Sequence, residues 1–244
     1  MIGRSYRYVQ QDHSLPEWGV VKALYEKNYV QSTDTTQRIP KKIHQIWLGS
    51  DLPGKYRGYV ETWKRLHPDW EHKLWTDNDL DDLVMEKRDI FNYATNLGQK
   101  SDILRYEIVR QHGGIYVDTD FECLKPFDDL LYLDFFVGIA YDKNLLLYCG
   151  LFGSTPNNPI ITRCVEGITE MYNGNDGNEI MRITGPEHIT RSVMAKVTKD
   201  TEGVVAFPMD FFYPFPNNVR FTDNAYTYIR ECSYAVHHWK TSWL

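Results

Sequence analysis

The chain has 244 residues, with 27 Lys and Arg against 33 Asp and Glu and 42% hydrophobic residues, a balance that excludes wholesale disorder and suffices for one enzyme-sized core. Its formal net charge of −6 argues against a nucleic-acid partner, because phosphate-backbone affinity rests on Lys and Arg. The four cysteines, Cys123, Cys149, Cys164 and Cys232, form no CxxC pair, so neither a zinc ribbon nor a dense disulfide framework is expected.

The longest apolar run, residues 145–152, is far short of the roughly 20 residues that span a bilayer. The opening MIGRSYRYVQ has no apolar core of the kind that marks a signal segment. No transmembrane segment and a cytoplasmic location are therefore expected.

In chain order, residues 17–29 space Val20, Val21, Leu24 and Tyr25 as a helix does. The run IHQIWLG from Ile43 reads as a strand closed by Gly49. Tyr56, Tyr59, Val60 and Trp63 predict a helix stopped by Pro68. A second strand is expected at residues 70–75, with Asp77 capping a helix that begins near Asp79. SDILRYEIVRQHGG, from Ser101, reads as a helix stopped by Gly113 and Gly114, with the strand IYVDTD directly after it. Further strands are predicted at 135–141, 145–152, 204–207 and 234–239, and proline-initiated helices at 159–172 and 186–197. The loop at residues 173–178 (NGNDGN) reads as flexible. The alternation implies an α/β fold.

Side chains alternate along a strand, so Tyr116, Asp118 and Asp120 are expected on one face of IYVDTD. Two converging carboxylates suit a hard divalent cation that in turn binds phosphates, although an isolated acidic pair is more often a solvated turn. On the preceding helix, Asp102 and Arg105 stand at i, i+3. They read either as a local ion pair or as a clamp, the carboxylate accepting from sugar hydroxyls and the guanidinium donating to sugar or phosphate oxygens.

Taken together, SDILRYEIVRQHGGIYVDTD resembles the signature SDxxRYxxLxxxGGxYxDxD of the DXD-containing glycosyltransferases of family 32, which includes α-mannosyl and α-galactosyl transferases and is similar to the glucosylating domains of clostridial toxins. Val109 replaces the leucine found in many members, a conservative core change. PKKIHQIWLG resembles that family's first strand, which implies that Trp47 stacks on the nucleotide base; the alternative is a core indole. His44, in the same run, reads as a core histidine bonded to backbone. YAVHHWKTSW resembles the family's terminal AVHxW motif, which implies His237 as a metal ligand in preference to His238, with Lys240, Ser242 and Trp243 at the diphosphate; otherwise the segment is an ordinary polar tail. ITGPEHIT is similar to the family's TGP turn and makes Glu187 and His188 weaker candidates for substrate contact. The resemblance covers residues 38–130 and 183–243.

The resemblance implies a GT-A type, Rossmann-like nucleotide-sugar fold with a mixed, mostly parallel sheet over residues 38–244, preceded by an N-terminal helical extension at residues 1–37. It also implies a retaining, metal-dependent hexosyltransferase that uses a nucleotide diphosphate sugar (UDP- or GDP-linked), Mn²⁺ or Mg²⁺, and a hydroxyl acceptor on a glycan, lipid or protein glycan. Asp118, Asp120 and His237 are the expected metal ligands. Asp102, Arg105 and Asp120 are the expected catalytic groups. Trp47, Ser101, Asp102, Arg105, Tyr116, Asp118, Lys240, Ser242 and Trp243 are the expected substrate contacts. A metal-dependent phosphohydrolase and a non-catalytic nucleotide-sugar binding module are the competing readings.

Overall fold

The computed structural model describes residues 14–140, 144–222 and 225–240. A six-stranded mixed sheet, order β2-β1-β3-β6-β5-β7, is built from β1 (Lys42–Ile46), β2 (Glu71–Trp75), β3 (Gly114–Val117), β5 (Phe135–Ile139), β6 (Leu147–Ser154) and β7 (Val204–Phe207). A separate two-stranded ribbon pairs β4 (Phe121–Cys123) with β8 (Ala235–His237). β1 lies parallel to β2 and β3, and β5 parallel to β7, whereas β6 runs antiparallel to both of its neighbours. β3, β5 and β7 are buried throughout, as strands covered on both faces must be.

Helix α1 (Pro16–Tyr25) opens on a proline and buries Trp18, Val21, Leu24 and Tyr25 against β7. The predicted helix continues beyond Tyr25 as a π turn, Glu26–Val30. α2 (Gly54–Leu66) buries Tyr56, Val60 and Trp63 at the expected spacing and stops before Pro68. Each large side chain buried in this way contributes about 1.5–3 kcal/mol.

The helix expected near Asp79 is absent. Thr76 and Asp79 close a capping box around the three-residue turn Asp77–Asp79, and Asp77 instead accepts a hydrogen bond from the Gly49 amide at 2.7 Å. The next helix is α3 (Arg88–Tyr93).

α4 (Leu97–His112) starts a turn earlier than its motif because the Asn96 side chain accepts from the amides of Gly98 and Gln99. It ends at Gly113, whose φ of 60° and contact with Pro156 leave no room for a Cβ. α5 (Pro159–Glu166) and α7 (Pro186–Met194) begin on their prolines, and both end short of their predicted bounds. Residues 173–176 are a loop, as expected from the sequence, and residues 177–178 begin the next helix. The Asn173 carbonyl accepts from Thr95, Asn175 accepts from Asn96, and Asp176 caps α6 (Gly177–Ile183).

Candidate functional site

The helix-to-strand connection explains the spacing of the central motif. Arg105 stands seven residues before the end of α4, about 10 Å along its axis. Asp118 stands four residues beyond the start of β3, about 13 Å along the strand. A two-glycine reversal therefore brings Arg105 level with Asp118, and the Nη2 to Oδ1 distance is 3.3 Å. β1 and β3 are parallel, so Trp47 and Asp118 emerge at the same sheet edge, the edge at which open α/β sheets bind ligands. Antiparallel β6 brings Tyr148, Cys149 and Gly150 to that edge.

A cleft of about 600 Å³ opens there. Its walls include Trp47, Ser101, Asp102, Arg105, Tyr116, Asp118, Asp120, His237 and Lys240. Ser242 and Trp243 lie outside the described residues.

The paired aspartates are not held by strand alternation as the sequence suggested. β3 ends at Val117, and Asp118 to Asp120 form a turn closed by the bond from the Phe121 amide to the Asp118 carbonyl at 3.1 Å. The Asp118 amide still donates to the Gly150 carbonyl at 2.8 Å. A Cβ on Gly150 would lie 2.8 Å from Asp118 Oδ2, so glycine is required for this carboxylate to lie where it does.

The β4–β8 ribbon completes the cluster. Its register sets His237 opposite Phe121, with the two rings stacked at 4.4 Å, and brings His237 Nε2 to 3.2 Å from Asp120 Oδ2. The Lys240 amide donates to Asp120 Oδ2 at 2.7 Å, and the His238 amide to the Asp120 carbonyl at 3.0 Å. His238 turns the other way, bonding Glu122 at 3.0 Å and stacking on Tyr59 at 4.3 Å.

Asp118, Asp120 and His237 offer ligand atoms that all lie within 4.8 Å of one another, the one such cluster among the described residues. Donors about 2.0–2.6 Å from a common ion stand no more than about 5 Å apart, so the set is compatible with one divalent cation. Burial raises the Asp118 carboxyl above its ordinary range, against the pull of Arg105. At Asp120 burial also opposes ionisation, but the facing His237 and the Lys240 amide outweigh it and hold its pKa below the ordinary value.

The Asp102–Arg105 pair is a buried structural unit that also lines the cleft. Arg105 Nη2 bridges Asp102 Oδ1 at 3.1 Å and Asp118, while Nη1 donates to the Cys149 carbonyl at 2.9 Å and Nε to the Ser101 carbonyl at 3.2 Å. The guanidinium lies 4.6 Å from the centre of the Tyr116 ring, whose hydroxyl donates to Asp118 Oδ1 at 2.6 Å. Asp102 Oδ2 accepts from the Thr184 hydroxyl at 3.0 Å. Burial pushes the Asp102 carboxyl up to about 6 despite the neighbouring guanidinium. The ion pair expected from the i, i+3 spacing is therefore present, and both of its residues line the cleft.

Trp47 is a half-buried part of the cleft wall, its indole N–H on Ser50 at 3.1 Å and its ring 4.9 Å from Tyr56. His44 is a core residue: Trp75 donates to its Nδ1 at 3.2 Å, so Nε2 carries the proton given to the Gly113 carbonyl at 2.9 Å. Burial drops its pKa to about 4. His188 and Glu187 stay out of the cleft, the first bonded to the Cys164 carbonyl at 2.7 Å and the second exposed beside Arg191. Sequence reasoning did not single out Tyr148, Cys149, Gly150, Met181 or Thr184. The TGP turn was the one signal pointing to Thr184.

Residues 53–136 match the family model described as the glycosyltransferase sugar-binding region containing DXD motif. Inositol phosphoceramide mannosyltransferase 1 of Schizosaccharomyces pombe is 31% identical over 147 residues, which are 55% of this chain and 44% of that protein. The chain thus spans less than half the length of that relative. A glycosyltransferase of Acanthamoeba polyphaga mimivirus, L373, is 28% identical over 215 residues, 84% of each chain. Among solved structures, the PaToxG glycosyltransferase superposes with a TM-score of 0.54 at 19% identity, covering 74% of this chain and 76% of that one, a likeness of fold. The fold is of the GT-A type, and residues 53–136 are similar to the sugar-binding region of glycosyltransferases that contains the DXD motif.

Proposed function

We propose that the chain is a retaining, metal-dependent hexosyltransferase that takes a sugar from a nucleotide diphosphate donor and gives it to a hydroxyl acceptor on a glycan or glycolipid. The observation that carries this reading is that one cleft holds both the Asp118, Asp120 and His237 cluster and the Asp102–Arg105 pair, with an indole in its wall. The mannosyltransferase relative supports a hexose, and family resemblance supports retention at the anomeric carbon.

In this reading Trp47 lends a face for the base, a contact worth roughly 1–3 kcal/mol for an aromatic on a base. Asp118, Asp120 and His237 hold Mn²⁺ or Mg²⁺, which as a Lewis acid offsets charge on the leaving diphosphate. Lys240 adds a positive charge beside that group. Asp102 accepts from Arg105 and the Cys149 thiol on Oδ1 and from Thr184 on Oδ2, which leaves a lone pair on Oδ2 for a sugar hydroxyl. Arg105 fixes the position of Asp102 and Asp118 relative to each other, its guanidinium N–H groups being engaged by Ser101, Cys149 and the two carboxylates.

Product analysis with a panel of UDP- and GDP-sugars, with and without Mn²⁺ or Mg²⁺ and with sugar and glycolipid acceptors, tests the reading. A glycoside retaining the donor's anomeric configuration is expected. Release of phosphate without an acceptor would replace the reading with a phosphohydrolase, and donor binding without any product would replace it with a binding module.

A further inference from the structure

We propose that Thr184 is a positioning residue for the donor sugar, its hydroxyl setting the orientation in which Asp102 meets the ligand. This rests on the reading of Asp102 as an acceptor of sugar hydroxyls. Thr184 is fully buried and does not line the cleft, so any influence on a ligand passes through Asp102. Its hydroxyl donates to Asp102 Oδ2 at 3.0 Å, and the Ile180 carbonyl at 3.3 Å is the competing acceptor.

A carboxylate anchored at one oxygen still turns about its terminal torsion, which is broad and two-fold. Arg105 and the weaker Cys149 thiol contact, at 3.6 Å, both meet Oδ1. Among the described residues the Thr184 hydroxyl is the hydrogen-bond donor recorded on Oδ2. It supplies the second point that fixes the carboxylate plane.

The corner that presents this hydroxyl is itself pinned to α4. The Tyr106 hydroxyl donates to the Thr184 carbonyl at 2.8 Å, and Tyr106 stands four residues, about one helical turn, after Asp102. Gly185 allows the close approach, since a Cβ there would lie 2.9 Å from the Met181 Cα and 3.4 Å from Asp102 Oδ2. Side chain and backbone of one residue thus join the corner between α6 and α7 to the clamp helix.

Thr184→Val preserves shape and removes the donor, and Thr184→Ser restores it. Calorimetric titrations with Mn²⁺ present compare the preferred nucleotide sugar with its nucleoside diphosphate alone. The expected result is that Thr184→Val keeps nucleoside diphosphate affinity within about twofold and loses about tenfold in the extra affinity due to the sugar and in kcat/KM, the loss of one hydrogen bond to a charged group. Thr184→Ser should recover most of that loss, and adding Thr184→Val to Asp102→Asn should cost nothing more. A wild-type ratio of sugar to diphosphate affinity in Thr184→Val overturns the proposal, as does an equal fall in both affinities in the Val and Ser variants. If the wild-type chain binds no nucleotide sugar, the proposed function fails and the positioning role fails with it. Sugar binding by the wild type that is untouched in Thr184→Val removes the positioning role alone.

Discussion

The two halves of the cleft are built differently. The half proposed to take the donor sugar, here the sugar half, is core: Asp102 and Arg105 sit on the longest helix among the described residues, buried, and are bonded to β6 and to the corner before α7. The half proposed to take the cation, here the metal half, is assembled at an edge, from a turn after β3 and a three-residue strand contributed by the chain's last described segment. The short β4–β8 ladder, two bonds to Asp120, the His237 stack on Phe121, the His238 contacts with Glu122 and Tyr59 and the Trp239 indole N–H on the Phe215 carbonyl carry His237 and Lys240 to the cleft from 117 and 120 residues away (237 − 120 and 240 − 120). The sugar half therefore couples function to stability, whereas the metal half should lose function with little cost to the fold.

Arg105→Lys should break the first half most severely. One ammonium cannot reach both carboxylates, the Cys149 carbonyl and the Ser101 carbonyl together. We expect kcat/KM to fall by about a hundredfold or more and stability by about 1–3 kcal/mol, because buried acceptors are left unpaired. Steady-state kinetics and urea unfolding check the two losses; lost activity at unchanged stability would show that the sugar half is not the structural unit described.

Asp102→Asn sharpens the comparison through pH. The folded-state pKa of Asp102, about 6, exceeds its ordinary 3.8. The folded state therefore binds more protons in between, and this group's favourable contribution is complete below about 3.8 and lost as pH rises through about 6. The asparagine variant lacks that loss. Relative to wild type it should gain stability from pH 4 to pH 7, by up to about 3 kcal/mol, even as sugar-dependent turnover falls. Paired thermal melts across that range read the difference, and a relative stability that declines with rising pH would reverse the sign.

The smallest effect is expected at His238, which bonds Glu122 and stacks on Tyr59 away from the cluster. His238→Ala should cost about 1 kcal/mol or less in stability and leave Mn²⁺ affinity within about twofold. A larger loss of metal affinity, measured by calorimetry, would mean that the ribbon's facing is not as described.

Local motifs made much of this legible. The i, i+3 spacing of Asp102 and Arg105, the glycine pair and the following acidic residues are all read within 20 residues of chain, and helix and strand rises bring them level. The exact support of the carboxylates was not legible. Strand alternation placed Asp118 and Asp120 on one face, but the strand stops at Val117 because the chain turns there to form β4, and a turn does the work instead. Gly150, Cys149 and Thr184 meet Asp118 and Asp102 only through tertiary pairing, which no local pattern encodes. The segment at 173–176 is the loop that its composition implies, while the bonds it receives from Thr95 and Asn96, far along the chain, are not encoded locally.

The central claim, that Asp118, Asp120 and His237 form one metal-dependent diphosphate site, is tested most directly by titrating nucleoside diphosphate into wild type, Asp120→Ala and His237→Ala, with and without Mn²⁺. Wild type should bind far more tightly with Mn²⁺; Asp120→Ala should lose that gain entirely, by about a hundredfold or more, and His237→Ala should lose a large part of it, each variant melting close to wild type. An Mn²⁺-dependent gain that survives intact in both variants would contradict the assignment.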